Sequence, residues 1–141
     1  MLLADAAQEV NGKLYILGGG WSQLNGPAPT AIAMKIDVPW NEANARHAFR
    51  LTLSDEDGQE VRVGPASDGQ VQMVAEGGAP VEIQGEFVVG RPPDAVVGAD
   101  LPNPMALSFG PLPLRPGAYT WRLWIDEQSQ PEWHCSFRVV G

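Results

Sequence analysis

Residues 114–140 read LRPGAYTWRLWIDEQSQPEWHCSFRVV, and this stretch decides the fold. It contains two segments in which bulky apolar side chains alternate with polar ones, joined by a polar turn. Alternation with a period of two is typical of a β-strand that buries one face. The two strands therefore form a hairpin whose inward face holds Tyr119, Trp121, Leu123, Ile125, Trp133, Cys135, Phe137 and Val139.

The register of this hairpin is predicted from the side chains that it buries. Pairing Ile125 with Trp133 also pairs Trp121 with Phe137 and brings all the bulky apolar residues together. A slip by one residue would expose every one of them. The same register sets Trp124 opposite His134 on the outward face. We call this outward surface the Trp124 face; its residues are Thr120, Arg122, Trp124, His134, Ser136 and Arg138.

The same alternation recurs along the rest of the chain and predicts further half-buried strands with one solvated face. These segments lie around residues 32–38, 49–54, 61–63, 81–89 and 105–109. Asn11-Gly12 predicts a hairpin turn between residues 2–8 and 13–17, because both residue types tolerate positive φ. Residues 91–104 are rich in Pro and Asp and predict a long loop.

Helix is scarce, and the sole candidate is a short segment over residues 39–46 that begins with a proline. Many short strands with little helix predict an all-β fold, an antiparallel β-sandwich of about eight to ten strands. A length of 141 residues predicts one domain that spans residues 1–141.

The closing hairpin resembles that of immunoglobulin-like sandwiches. The resemblance rests on the run Leu114 to Tyr119, the alternating strand, the polar turn and the final Phe-x-Val strand. It implies that Tyr119 forms a tyrosine corner, in which the hydroxyl bonds back to nearby backbone. The long connection over residues 91–104 departs from the minimal seven-strand version and leaves the strand order open.

A second resemblance covers most of the chain. LADAAQ at 3–8, GKLYILGGGW at 12–21 and VPWNEAN at 38–44 look like a group of small uncharacterised proteins from actinobacteria. That group has no assigned activity, so the resemblance implies a self-standing domain and transfers no catalytic residue.

Charge and cysteine content limit the partners and the compartment. The formal net charge is −8, which disfavours nucleic acid and anionic membrane as partners. Cys135 is the one cysteine, so no disulfide can form within the chain, as expected in a reducing compartment. No basic start with an apolar run precedes Lys13, and no segment approaches the roughly 18 apolar residues of a membrane span. We expect a cytoplasmic location.

The residues that could carry chemistry do not form a recognisable set. Cys135 alternates with aromatic residues and is expected to be a core thiol. His47 and His134 are expected to be isolated surface histidines, too few for a zinc site. The carboxylates of Asp55, Glu56, Asp57 and Glu60 are interpreted as a solvated turn, with calcium binding as the alternative. The sequence predicts no cofactor, no metal and no enzymatic activity; a carboxylate-pair enzyme is the weakest hypothesis.

Two further residues are open to a functional and a structural interpretation. Trp21 follows three glycines and either recognises a ligand or covers the open end of the sandwich, and we favour the cover. Asp5 interrupts an apolar strand and is expected to cap backbone amides of a neighbouring loop.

The Trp124 face is the best candidate for binding. An aromatic ring among hydrogen-bond donors can anchor a protein or stack on a sugar; otherwise Arg122 or Arg138 stacks on Trp124 within the monomer. We therefore predict a non-catalytic interaction module that binds an unknown protein or its own copy through a sheet face or edge. The alternative is a small-ligand or carbohydrate-binding module that uses Trp21, Trp40 or Trp124.

Overall fold

The computed structural model describes residues 1–141, and β-strands make up nearly all of its regular structure. The one helical element is a 3₁₀ turn at Trp40–Glu42, so the predicted short helix over residues 39–46 is limited to this turn. The all-β prediction is confirmed. In chain order the strands are β1 (Leu2–Val10), β2 (Lys13–Gly19), β3 (Gln23–Asn25), β4 (Thr30–Val38), β5 (Arg46–Asp55), β6 (Arg62–Pro65), β7 (Val71–Val74), β8 (Ala79–Pro80), β9 (Glu82–Val88), β10 (Leu101–Phe109), β11 (Gly117–Ile125) and β12 (His134–Val140).

Two sheets form a sandwich. One sheet has four strands in the order β10-β4-β1-β2, and the other has five in the order β3-β12-β11-β5-β9. All neighbouring strands in these two sheets are antiparallel except β3, which runs parallel to β12. A small third sheet, β7-β6-β8, lies in the connection between β5 and β9.

The core lies between the two larger sheets. Trp121 is its largest fully buried side chain, and Leu3 and Ile32 of the other sheet belong to the same cluster. Phe137 is also buried, and Trp133 is half-buried against this cluster, as the alternation predicted. Because burial of each large apolar side chain contributes about 1.5–3 kcal/mol, these rings dominate the stability of the sandwich.

The closing hairpin pairs two residues away from the predicted register. Tyr119 lies opposite Phe137, and Trp121 lies opposite Cys135. The cause is a tight turn at Asp126 and Glu127, which have φ of 50° and 62°: it pairs Ile125, the last residue of β11, with Gln128 and not with Trp133. A shift by two residues leaves every side chain on its predicted face, which is why the core prediction survives the error.

β4 is buried on both faces along its first half, which corrects the prediction of one solvated face. The ladder between β1 and β2 is interrupted at Gly18, where φ is +60°. Between Gly18 and the Asn11-Gly12 turn, the hairpin of β1 and β2 lies against the outer side of the four-stranded sheet. On that side Ala7 and Leu14 of the hairpin pack on alanines of β4, and such close packing requires small side chains. The cluster consists of Ala7, Ala31 and Ala33, with Leu2, Leu14 and Ala106 against it.

The long loop is shorter than predicted, because β10 begins at Leu101 and not after Pro104. Pro102 and Pro104 lie within the strand. β10 is the outermost strand of its sheet, and a missing N–H costs little where it faces no neighbour.

Candidate functional site

The Trp124 face is formed as predicted, with one change in its arrangement. Arg122, and not Trp124, lies opposite His134. Trp124 lies opposite Arg50 of β5, because the hairpin register is shifted by two residues. The face therefore extends across three strands.

Trp124 is held in place by neighbours within the chain. Its indole Nε1 donates to Thr52 Oγ1 at 3.1 Å, and the Arg50 guanidinium lies 5.4 Å from the ring centroid. Arg50 also contacts Glu127 at 3.2 Å. The guanidinium that lies over the Trp124 ring is therefore that of Arg50, and not that of Arg122 or Arg138. Arg50 lies on β5, which is far from Trp124 in sequence.

The other members of the Trp124 face also have local partners. Thr120 Oγ1 and Ser136 Oγ are 2.9 Å apart, and Arg122 donates to the Gln130 carbonyl at 3.3 Å. The His134 ring contacts the Pro131 carbonyl through Nδ1 at 2.7 Å. Arg138 is exposed. The face is a network of polar contacts around one half-buried indole.

The two remaining tryptophans proposed for ligand binding pack within the fold. Trp21 is half-buried, and its ring meets Phe137 edge-on at 6.2 Å between centroids. It therefore covers one end of the core, the structural interpretation favoured above, and its Nε1 is buried without a hydrogen-bond partner. Trp40 lies under Arg91, whose guanidinium is 4.5 Å from the ring centroid.

His47 is buried, which overturns the prediction of a surface histidine. Its Nδ1 lies 2.8 Å from Asp126 Oδ2, and its Nε2 lies 2.9 Å from the Glu42 carbonyl oxygen. The Asp126 hydrogen bond, with a smaller contribution from Glu42, raises the pKa of His47 above 6.5. The same contact, aided by the Ala48 N–H, lowers the pKa of Asp126. Both ring nitrogens of His47 face hydrogen-bond acceptors, so the cationic ring, which carries a proton on each nitrogen, can donate to both.

A cleft of about 410 Å³ opens beside His47, between the end of β4 and the connection from β11 to β12. We call it the His47 cleft. Trp133 and Phe87 supply aromatic walls, and carboxylate and amide side chains supply polar ones. The polar residues are Asp37, Glu42, Asp126, Gln128 and Gln130.

The free side of β2, which we call the β2 edge, is apolar and uncovered. Tyr15 is 55% exposed, Ile16 41% and Leu17 71%. β2 is the last strand of its sheet, so one side of its main chain has no neighbouring strand. The sequence predicted a strand here, but not that it would be outermost.

The other sheet edges are protected in ways that β2 is not. β10 carries Pro102 and Pro104, β9 carries Glu82 and Glu86, and β3 has only three residues. Proline, charge and short length each discourage the addition of another strand. Between its first residue, Lys13, and Gly19, β2 has no charge and no proline.

Three further predictions concern single groups. Cys135 is partly buried against the core, and burial raises the pKa of its thiol to about 11. The acidic turn is closed by Asp55, whose Oδ1 accepts from the N–H groups of Asp57 and Gln59, both at 2.9 Å.

Asp5 is exposed, and its carboxylate forms no hydrogen bond within the chain. The prediction that Asp5 caps backbone amides is therefore wrong. The Asp5 carboxylate lies over Gly18, and the missing Cβ makes room for it.

No helix in the structure has the length and the apolar character to cross a bilayer. A family model described as a family of unknown function (DUF6941) matches residues 1–140. No curated protein matches the chain, and no solved structure does.

Proposed function

Because the chain belongs to this family of unknown function, we propose its role from its own surface: a non-catalytic module that binds protein by accepting an extended strand along the β2 edge. The exposed apolar strand carries this proposal. Strand addition takes its affinity from main-chain hydrogen bonds and its specificity from alternate side chains.

The turn geometry determines which main-chain groups are free. Asn11 and Gly12 have φ of 52° and 78°, as in a two-residue type I′ hairpin. In such a hairpin the flanking residues, Val10 and Lys13, exchange both hydrogen bonds. The pattern then alternates, so Leu14 and Ile16 direct their N–H and C=O groups towards the β2 edge.

The absence of a catalytic role is part of the proposal. General-base catalysis needs a free nitrogen, and both nitrogens of His47 are occupied by acceptors. Nucleophilic catalysis needs a thiolate, and a pKa of about 11 keeps Cys135 protonated near neutral pH. The net charge of −8 supports a protein over a nucleic acid as partner.

An immunoglobulin-like strand order is a finer proposal about the sandwich. In its support, β10, β4 and β1 are neighbours in one sheet, and β12, β11 and β5 in the other. The Tyr119 hydroxyl donates to the Arg115 carbonyl at 2.7 Å, the bond of a tyrosine corner. On this proposal β2 and the small third sheet are additions. A solved structure with another strand order would refute it.

Selection of short random peptides on phage tests the binding proposal. We expect selected peptides to alternate apolar and polar residues, and Ile16→Pro to weaken their binding at least about tenfold, since it removes a donor at the edge. Ile16→Val retains the N–H and is the matched control. Thermal unfolding of both variants checks that they fold. Peptides that bind wild type and Ile16→Pro equally well would contradict the proposal.

A second candidate, small-ligand binding, is favoured by the His47 cleft. A volume of about 410 Å³ suits a small molecule, and Trp133 with nearby amides and carboxylates is a surface suited to a sugar ring. The test is titration of a glycan panel with tryptophan fluorescence as the readout. We expect quenching that Trp133→Phe removes; flat titrations throughout would eliminate this candidate.

A further inference from the structure

We propose that the partner of the β2 edge is a second copy of this chain, joined in a twofold antiparallel pair centred on Tyr15. This inference rests on the proposed function, because it names the strand that is added. It predicts that the two β1–β2 hairpins join into one four-stranded ribbon across the β2 edges.

The free main-chain groups select this register. Leu14 and Ile16 direct their N–H and C=O groups outward, so each must face an outward-directed residue of the second copy. In a twofold pair centred on Tyr15, Leu14 lies opposite Ile16 of the second copy, and each exchanges both hydrogen bonds with the other. The two Tyr15 residues lie opposite each other without hydrogen bonds, where side chains approach more closely.

The side chains are self-complementary in the same register. Residues directly opposite each other share a face of the sheet. Leu14 and Ile16 therefore meet as an apolar pair on one face. On the other face the tyrosine rings meet, and Leu17 lies opposite Lys13 of the second copy. The pairing covers Tyr15, Ile16 and Leu17, the exposed apolar residues of this strand.

Two charged side chains near opposite ends of β2 also favour a second copy of the chain as the partner. Lys13 begins β2, and the Asp5 carboxylate lies over Gly18 near the other end. Both are exposed, and neither belongs to any ion pair within the chain. Antiparallel pairing sets the start of one β2 beside the end of the other. Lys13 of each copy then lies one residue from Gly18 of the other, within reach of its Asp5 across the strand.

Charge exchange tests this pairing. We expect light scattering to give a mass that rises from monomer to dimer with concentration. Lys13→Glu and Asp5→Lys each place like charges together and should weaken the dimer at least about fivefold. The double variant restores opposite charges and should recover the dimer. Lys35→Glu on β4 and Asp94→Lys on the loop before β10 are matched controls that should leave dimerisation unchanged.

Two outcomes would overturn the inference. One is a monomer mass at every concentration up to about 1 mM, well above the range of a specific complex. The other is a double variant that dimerises no better than either single variant. If the chain stays monomeric while peptide binding still depends on the Ile16 N–H, the self-pairing fails and the proposed function stands. If peptide binding is also absent, both fail.

Discussion

The His47 ring joins two parts of the chain that are 79 residues apart, with Nδ1 at 2.8 Å from Asp126 Oδ2. Asp126 in turn accepts from the Ala48 N–H through Oδ1 at 3.0 Å. The other ring nitrogen faces the Glu42 carbonyl at 2.9 Å. The contact thus connects the 3₁₀ turn, β5 and the turn after β11. Because it is charge-assisted, its strength must depend on pH.

The free energy of unfolding should fall as pH rises above 6.5 and through the folded pKa of His47. The pKa of His47 is raised above 6.5 in the fold, so its contribution is fully present below 6.5 and is lost as pH rises through the folded pKa. His47→Gln should cost about 2 kcal/mol near pH 6 and less near pH 8. Urea unfolding at both pH values measures this difference.

His134→Gln is the control for this pH dependence, because His134 is exposed and contacts only a neighbouring carbonyl. A His47→Gln variant that retains the wild-type decline between the two pH values would contradict the assignment. At low pH the sign reverses. The pKa of Asp126 is lowered below 3.8, so its contribution is present above 3.8 and is lost as pH falls through the folded pKa.

Tyr119→Phe should destabilise the fold by about 1 kcal/mol, because it removes one buried hydrogen bond and leaves the Arg115 carbonyl without its donor. The ring itself remains packed on Phe137, 5.7 Å away between centroids. The midpoint of urea unfolding measures the change. Tyr15→Phe removes an exposed hydroxyl and is the control. It is measured at low protein concentration, so that the proposed pairing through Tyr15 does not contribute. Equal midpoints for the two variants would mean that the corner contributes nothing.

The strand faces could be predicted from the sequence because alternation reports burial directly. Trp121 and Phe137 lie where the period of two placed them. The register of the closing hairpin could not be predicted in this way, because a shift by two residues leaves every side chain on the same face. The turn sets the register: Asp126 and Glu127 adopt positive φ, and neither residue is a glycine that would mark such a turn in the sequence.

The buried histidine could have been found. His47 has the same parity as Phe49, Leu51 and Leu53 on β5, so extending that alternation by one step places it inward. Its partner could not have been found, because no local pattern links residue 47 to residue 126. The same limit applies to β2. Whether an apolar strand is central or outermost depends on pairing between distant segments, which alternation does not encode.

Cys135 should react slowly with thiol reagents in the folded protein. Burial raises the pKa of its thiol from 9.0 to about 11, so the thiolate fraction at pH 8 falls about 100-fold. The rate of reaction with a disulfide reagent, measured by absorbance in buffer and in urea, should differ by at least that factor. The unfolded chain is its own control. Equal rates would show that the thiol is accessible and ionisable in the fold.

Trp124 should stabilise the sheet through its neighbours, whatever else it contacts. Trp124→Phe keeps a ring beneath Arg50 but removes the N–H that bonds Thr52, and should cost about 1 kcal/mol. Trp124→Ala should cost more, because the cation–π contact is lost as well. A double-mutant cycle with Arg50→Met should give a coupling of about 0.5–1 kcal/mol. If both Trp124 variants unfold at the wild-type urea midpoint, the indole has no structural role, and the hypothesis that this face is a binding surface regains support.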